Sequence, residues 1–303
     1  MGSKTAVDTF GQLQTEARNP RTIGIDTVST LQACALMNAE DQMVAAAVQA
    51  ALPQIAEAVD RIAEAFRNGG RLFYVGSGTS GRLGVLDASE CPPTFSAPPE
   101  MVVGLIAGGR PALTDAVEGA EDSPGVGAYE IGANGVTEKD VVVGITASGR
   151  TPFVVGALDR AREIGAATVG ISNCYPSNIE DHCDIPIIVE TGPEVIAGST
   201  RLKAGTAQKL ILNMLSTLAM VRTGKTYGNL MIDVKPTNAK LRDRARRILV
   251  TVTGCAPEEA ASALQRSGNH VKVATIMLMA GVDAKTAAER LEKADGFVAK
   301  AIG

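Results

Sequence analysis

Ser77, Thr79 and Ser80 alternate with Gly76, Gly78 and Gly81 in the stretch 76–93, GSGTSGRLGVLDASECPP. A strand at Arg71–Val75 is expected to precede them, and a helix is expected from about residue 81. That order turns backbone N–H groups and hydroxyls toward one point at a helix N-terminus, which suits a phosphate. Glu90 closes the same stretch, and Glu121 lies in Glu-Gly-Ala-Glu-Asp at 118–122. A phosphate cradle with two carboxylates beside it points to acid/base chemistry on a phosphorylated small molecule. A second turn of the same kind, Ala147-Ser148-Gly149-Arg150-Thr151-Pro152, follows another apolar run. Pro152 fits the first turn of the next helix. A helix cap by Ser148 or Thr151 would account for this turn alone. Two such turns at the ends of parallel strands lie where open α/β sheets bind ligands. At 198–206 the hydroxyls, Thr200 among them, head a long helix as caps while Arg201 or Lys203 offers an anion contact, or the stretch is a solvated basic first turn.

Other chemistries fit less well. Gly76 to Gly81 formally match G-x-G-x-x-G, but the second strand ends in Ala107-Gly108-Gly109-Arg110, without the acid a dinucleotide ribose needs. Three hydroxyls suit a phosphomonoester better than a diphosphate pressed on bare backbone. The two histidines, His182 and His270, supply a metal site or triad poorly, and Cys91 has no nearby histidine and reads as a small hydrophobe. The 303 residues carry a net charge of −4 and no tryptophan, which argues against nucleic-acid and anionic-membrane partners. No apolar run reaches the ~20 residues of a membrane span. Five cysteines without a C-x-x-C pair and an N-terminus unlike a signal peptide predict reduced thiols and a cytoplasmic protein.

The elements that must position these groups alternate. Residues 1–50 read as a peripheral helical segment, and a helix follows at 53–66. Strands are expected at 71–75, 101–107, 140–146, 167–172 and 184–189. Helices are expected near 81–89, where Pro92-Pro93 ends the first, and at 111–118 and 151–164. Short β-branched runs between helices indicate a parallel sheet covered on both faces. A long helix at 200–222 and a charged one at 238–253 come next, then three short helices. The organisation is therefore an α/β domain at 51–253, after the segment 1–50 and before a small helical bundle, similar to ubiquitin-associated folds, at 254–303.

The motifs 76–94, Gly104-Leu105-Ile106-Ala107-Gly108-Gly109, 116–122, 147–152 and 198–209 together resemble the bacterial N-acetylmuramic acid 6-phosphate etherases, from about Ile25 to near the C-terminus. The resemblance implies the sugar isomerase (SIS) fold, related to the glucokinase regulatory protein, and cleavage of a lactyl ether to give D-lactate. It implies no metal and no redox cofactor, and a homodimer with shared sites. It matches Glu90 to the acid on the leaving lactate and Glu121 to the second acid/base residue, roles that spacing cannot separate. Ser77, Gly78, Thr79, Ser80, Ser148, Gly149, Arg150, Thr151, Thr200 and Lys203 then hold phosphate or sugar. An aldose–ketose isomerase using the same cradle and a sugar-phosphate sensor without catalysis are the competing readings.

Overall fold

The computed structural model describes residues 14–234 and 239–303. Five strands, β1 (Leu72–Gly76), β2 (Val102–Ile106), β3 (Val141–Ile145), β4 (Ala167–Ser172) and β5 (Ile185–Ile188), form one parallel sheet in the order β2-β1-β3-β4-β5. Every residue of β1 and β3 is buried, as expected of central strands covered on both faces. Asp140 aligns these two strands from below. Its carboxylate accepts from the Arg71 backbone N–H at 2.7 Å and the Arg71 guanidinium at 2.9 Å, ahead of both strands.

Phe73, Val75 and Val142 pack with Phe153, Val154 and Leu158 of α5 (Pro152–Ile164). Tyr74 points to the other face, where its hydroxyl donates to Asp87 of α3 (Gly78–Phe95) at 2.9 Å. Helix α3 continues through Pro92 and Pro93 instead of ending there, with Cys91 and Phe95 buried on one face. Burial of that stripe outweighs the main-chain hydrogen bonds two prolines remove.

The expected helix at 111–118 is a single 3-10 turn, Arg110–Leu113, and the true helix of this crossover is α4 (Pro124–Ala133). Its glycines argue against helix on propensity but allow a close crossing. A Cβ on Gly127 would stand 1.9 Å from the Phe153 carbonyl oxygen, and one on Gly156 would stand 2.0 Å from that of Pro124. Two other helices, α1 (Thr30–Gln49) and α2 (Leu52–Arg67), precede the sheet, and α6 (Lys203–Arg222) follows it. Residues 14–29 are turns, not helix; of the segment 1–50, residues 1–13 lie outside the described residues. The Asn19 amide donates to the Pro193 carbonyl and the Thr22 hydroxyl to that of Val195, so side chains hold these turns where backbone ladders do not.

Two compact units emerge, Met1–Ala88 with Val102–Leu215, and Ser89–Met101 with Ser216–Gly303. These boundaries differ from the expected 50/51 and 253/254. Among the described residues the second unit contains the C-terminal parts of α3 and α6, a hairpin, β6 (Thr226–Tyr227) and β7 (Leu230–Met231), and five further helices. They are α7 (Ala239–Thr253), α8 (Pro257–Arg266), α9 (Val271–Ala280), α10 (Ala284–Lys293) and α11 (Val298–Ile302). Asn238, the expected first residue of α7, lies outside the described residues. Ile232 and Val234 share one core with Leu249, Leu264, Ile276 and Val298. The hairpin and α7 therefore belong with the short helices, of which there are four where three were expected.

Candidate active site

In the order β2-β1-β3-β4-β5 the chain leaves β1 toward β2 on one side and β3 lies on the other, so the switch in direction falls between β1 and β3. Ligands bind at such a crevice, outside the carboxyl ends of the strands. The two glycine- and hydroxyl-rich turns leave these two strands. Gly76 pairs with Ile145, so both turns start at the same level.

In the first turn Ser77 donates from Oγ to Glu121 Oε2 at 2.8 Å. The Glu121 carbonyl also accepts from the Phe153 N–H at 3.0 Å, in the helix that follows the second turn. Glu121 is thus anchored to the first turn and to the start of α5 (Pro152–Ile164), and remains exposed. Its loop is held from α3 by Arg82, whose guanidinium donates to the carbonyls of Leu113 at 3.1 Å and Asp115 at 3.2 Å. The α3 N-terminus presents the amides of Gly78, Thr79 and Ser80, with Gly78 at φ 51°. Thr79 is half-buried, whereas Ser80 is buried and its hydroxyl donates to Gln208 Oε1 at 2.9 Å.

The second turn is built around Thr146, the last residue of the strand expected at 140–146. Its hydroxyl lies 2.7 Å from that of Thr151 and 3.3 Å from that of Ser148. Ser148 also accepts from the Arg150 N–H at 3.3 Å. Arg150 is half-buried. Gly149 has φ 71°, and a Cβ there would lie 1.9 Å from Ser177 Oγ and 2.7 Å from Ser172 Oγ. Gly149→Ala combines a left-handed backbone, costing ~1–2 kcal/mol, with that collision. The expected outcome is a lower melting temperature and loss of phosphate binding, read by thermal melts with and without inorganic phosphate.

Two expected contacts are built differently. Lys203 is only 1% exposed and its ammonium donates to Glu40 Oε2 at 2.8 Å, so it is committed to an interior ion pair instead of to a ligand. Glu40 also takes the Arg21 guanidinium. This hydrogen bond, opposed by burial and helped by Lys203, draws the Glu40 carboxyl down to about 2. The α6 N-terminus is capped by Glu194, not by Thr200. Its two oxygens accept from the N–H groups of Lys203 and Ala204, both at 2.9 Å. A carboxylate at a helix N-terminus meets bare amides and the positive end of the dipole. Burial nevertheless pushes the Glu194 carboxyl up, against those amides and Lys203. Thr200 is half-buried in the preceding turn.

Glu90 is exposed on α3 and belongs to the second compact unit. Cys91 is buried, and all five cysteines are free. His182 pairs with Asp159 at 2.6 Å. Among the described residues no three His, Cys, Asp or Glu side chains converge on a metal position, and no helix is long and apolar enough to cross a membrane. A hollow of about 480 Å³, lined by Arg61, Glu64, Asn68, Glu138 and Lys139, lies at the opposite edge of the sheet, where β3 and β4 begin.

Residues 54–162 match the glucokinase regulatory protein N-terminal SIS domain, and residues 127–218 match the SIS domain. The chain is 53% identical to an N-acetylmuramic acid 6-phosphate etherase of Aliivibrio fischeri (strain MJ11), over 96% of this chain and 97% of that protein. It belongs to the N-acetylmuramic acid 6-phosphate etherase family. A second member, from Photorhabdus laumondii, is 54% identical over 95% of this chain and 96% of its own length. Among solved structures, a phosphoheptose isomerase from Francisella tularensis superimposes with a TM-score of 0.52, at 18% identity. It covers 64% of this chain and 100% of the isomerase, and at that identity it supports the SIS fold of this etherase-family chain and nothing more.

Proposed function

We propose that this protein cleaves the D-lactyl ether of N-acetylmuramic acid 6-phosphate, giving N-acetylglucosamine 6-phosphate and D-lactate, in cell-wall amino sugar recycling. Beyond the kinship, the observation that carries this reading is the double anchorage of Glu121, through Ser77 and through the Phe153 N–H. It aims one carboxylate at the mouth of a cradle suited to the substrate's phosphate. In the open-chain sugar, C2–H lies beside the C1 aldehyde and is acidic. Glu121 takes that proton, and the C–H electrons form a C2=C3 double bond as the C3–O bond breaks. Glu90 gives its proton to the departing lactate oxygen. Water then adds at C3, its oxygen bonding carbon while a proton returns to C2. Ser77 occupies one lone pair of Glu121 Oε2, which leaves Oε1 to accept the substrate proton.

The phosphate is held by the amides of Gly78, Thr79 and Ser80 with the hydroxyls of Thr79, Ser148 and Thr151, flanked by Gly149 and Arg150. A homodimer is the working assembly. Helix α1 buries only Glu40, Val44 and Val48 and leaves Leu31 81% exposed, an apolar face that a second copy would cover.

The test is release of D-lactate from N-acetylmuramic acid 6-phosphate by wild type and by Glu90→Ala. Wild type is expected to release it and Glu90→Ala to lose ~10²–10⁴-fold in rate. A wild type that binds the sugar phosphate without releasing lactate overturns the reading in favour of a sensor or isomerase. A Glu90→Ala variant with near-normal turnover removes Glu90 from the leaving-group role. If the site is shared between subunits, mixing Glu90→Ala with Glu121→Ala chains restores part of the activity.

A further inference from the structure

A chain of buried side-chain amides runs behind both turns. The Asn173 side-chain amide donates to the Val189 carbonyl at 3.3 Å, and Asn173 Oδ1 accepts from Gln208 Nε2 at 2.9 Å. Gln208 Oε1 in turn accepts the Ser80 hydroxyl at 2.9 Å. The Asn173 backbone N–H donates to the carbonyl of Ala147, the first residue of the second turn, at 3.0 Å. Asn173 is 0% exposed, Gln208 1% and Ser80 8%, so solvent does not substitute for these partners.

The direction of the chain is forced. A backbone carbonyl only accepts, so Asn173 must turn its NH₂ toward Val189 and its oxygen toward Gln208. Gln208 must then offer NH₂ to Asn173 and oxygen to Ser80. Ser80 must therefore donate, and its one proton points into the interior, away from any ligand. This corrects the expectation for Ser80: its hydroxyl proton is not available to a phosphate, and its contribution there is the backbone N–H.

We infer that Gln208, with Asn173, is a positioning residue for the phosphate: the relay ties the first turn of α3 to Ala147 and fixes the spacing between the two anion-binding turns. Asn173 joins the two turns, reaching Ser80 through Gln208 and holding Ala147 through its own backbone N–H. Losing the relay leaves buried polar groups unpaired and releases the first turn of α3 from its tie to Ala147. The effect falls on binding of the phosphate end and not on proton transfer at C2. The inference rests on the proposed reaction for its kinetic readout but not for its binding readout.

The experiment compares wild type, Gln208→Met, Gln208→Glu, Ser80→Ala and the Gln208→Met/Ser80→Ala pair. The probes are inorganic phosphate by titration calorimetry, KM and kcat for lactate release, and the melting temperature. Gln208→Met is expected to raise the phosphate Kd and KM together by ~10-fold with kcat within about twofold, as lost ground-state and transition-state binding requires. Adding Ser80→Ala is expected to change little more, because both substitutions break the same link. Gln208→Glu keeps an acceptor for Ser80 but faces Asn173 with oxygen, so it is expected to fall between wild type and Gln208→Met, and it carries the test if the methionine variant does not fold. A lowered melting temperature with unchanged Kd and KM, additive effects in the double variant, or a loss confined to kcat would each overturn the inference. If wild type releases no lactate, the proposed reaction fails while the phosphate Kd still decides the relay.

Discussion

Glu121→Gln is expected to lower kcat for lactate release by ~10²–10⁴-fold, the usual share of a general base, with KM little changed. The amide keeps the volume of the side chain and an oxygen that can accept from Ser77, so the loop anchored to α5 through the Phe153 N–H should stay in place. What it loses is the capacity to take the C2 proton. Solvent exchange at C2 isolates that step: wild type with substrate or product in deuterated water should incorporate deuterium, and Glu121→Gln should not. Ser77→Ala leaves the carboxylate but releases it from one anchor, so a smaller fall of about tenfold is expected, in the range of one charge-assisted hydrogen bond. If Glu121→Gln retained kcat within tenfold of wild type, another group would be the base.

The second large effect is on stability. Glu40→Ala should cost ~3–5 kcal/mol, the range for breaking a buried ion pair, because it strands the Lys203 ammonium at 1% exposure. Urea unfolding would report it as a lower midpoint with an unchanged slope. Replacing both partners, with Glu40→Leu and Lys203→Met, should recover most of that loss, since two apolar chains of similar size need no countercharge. The ion pair also fixes a pH dependence. The folded Glu40 carboxyl titrates at about 2, below the ~4.3 of an unpaired glutamate. Its contribution is therefore complete above the unfolded value and is lost as pH falls from there toward 2. Glu194 works in the opposite sense, because its carboxyl is raised by burial and its ionised form is the costly one. The acid limb of wild-type stability should be shallower in Glu40→Gln. An acid limb identical in the two proteins would remove Glu40 from that dependence.

Much of the fold was legible because β-branched runs are short, nearly uninterrupted and evenly spaced. The strand expected at 167–172 coincides with β4, Ala167–Ser172, and the other four differ by one residue at either end. Where the reading failed, local propensity and tertiary demand disagreed. Gly125, Gly127 and Gly132 argue against a helix, yet α4 uses Gly127 to meet α5 backbone to backbone. Pro92 and Pro93 signal a helix end, yet burial of Cys91 and Phe95 carries α3 past them. In the site the turns stood out through their own residue types. Thr146, Gln208 and Asn173 did not: although Gln208 lies in the motif 198–209, nothing local shows that these side chains meet behind the turns.

The sequence by itself determined the five strands, the glycine and hydroxyl content of the two turns, the carboxylates at 90 and 121, and the family to which these motifs belong. Those features are local, resting on backbone propensity, residue type and spacing over a few positions. Only the tertiary structure decided which polar groups are spent inside and which face a ligand. Lys203 and Thr200 look equally suited to an anion in the sequence, and Ser77 and Ser80 look equally suited to a phosphate. Burial separates them: Lys203 satisfies Glu40, Ser80 satisfies Gln208, and Ser77 holds Glu121 in the open. A buried polar group must find a partner or cost free energy, and partners 44 to 163 positions apart meet only when the sheet and α6 are assembled.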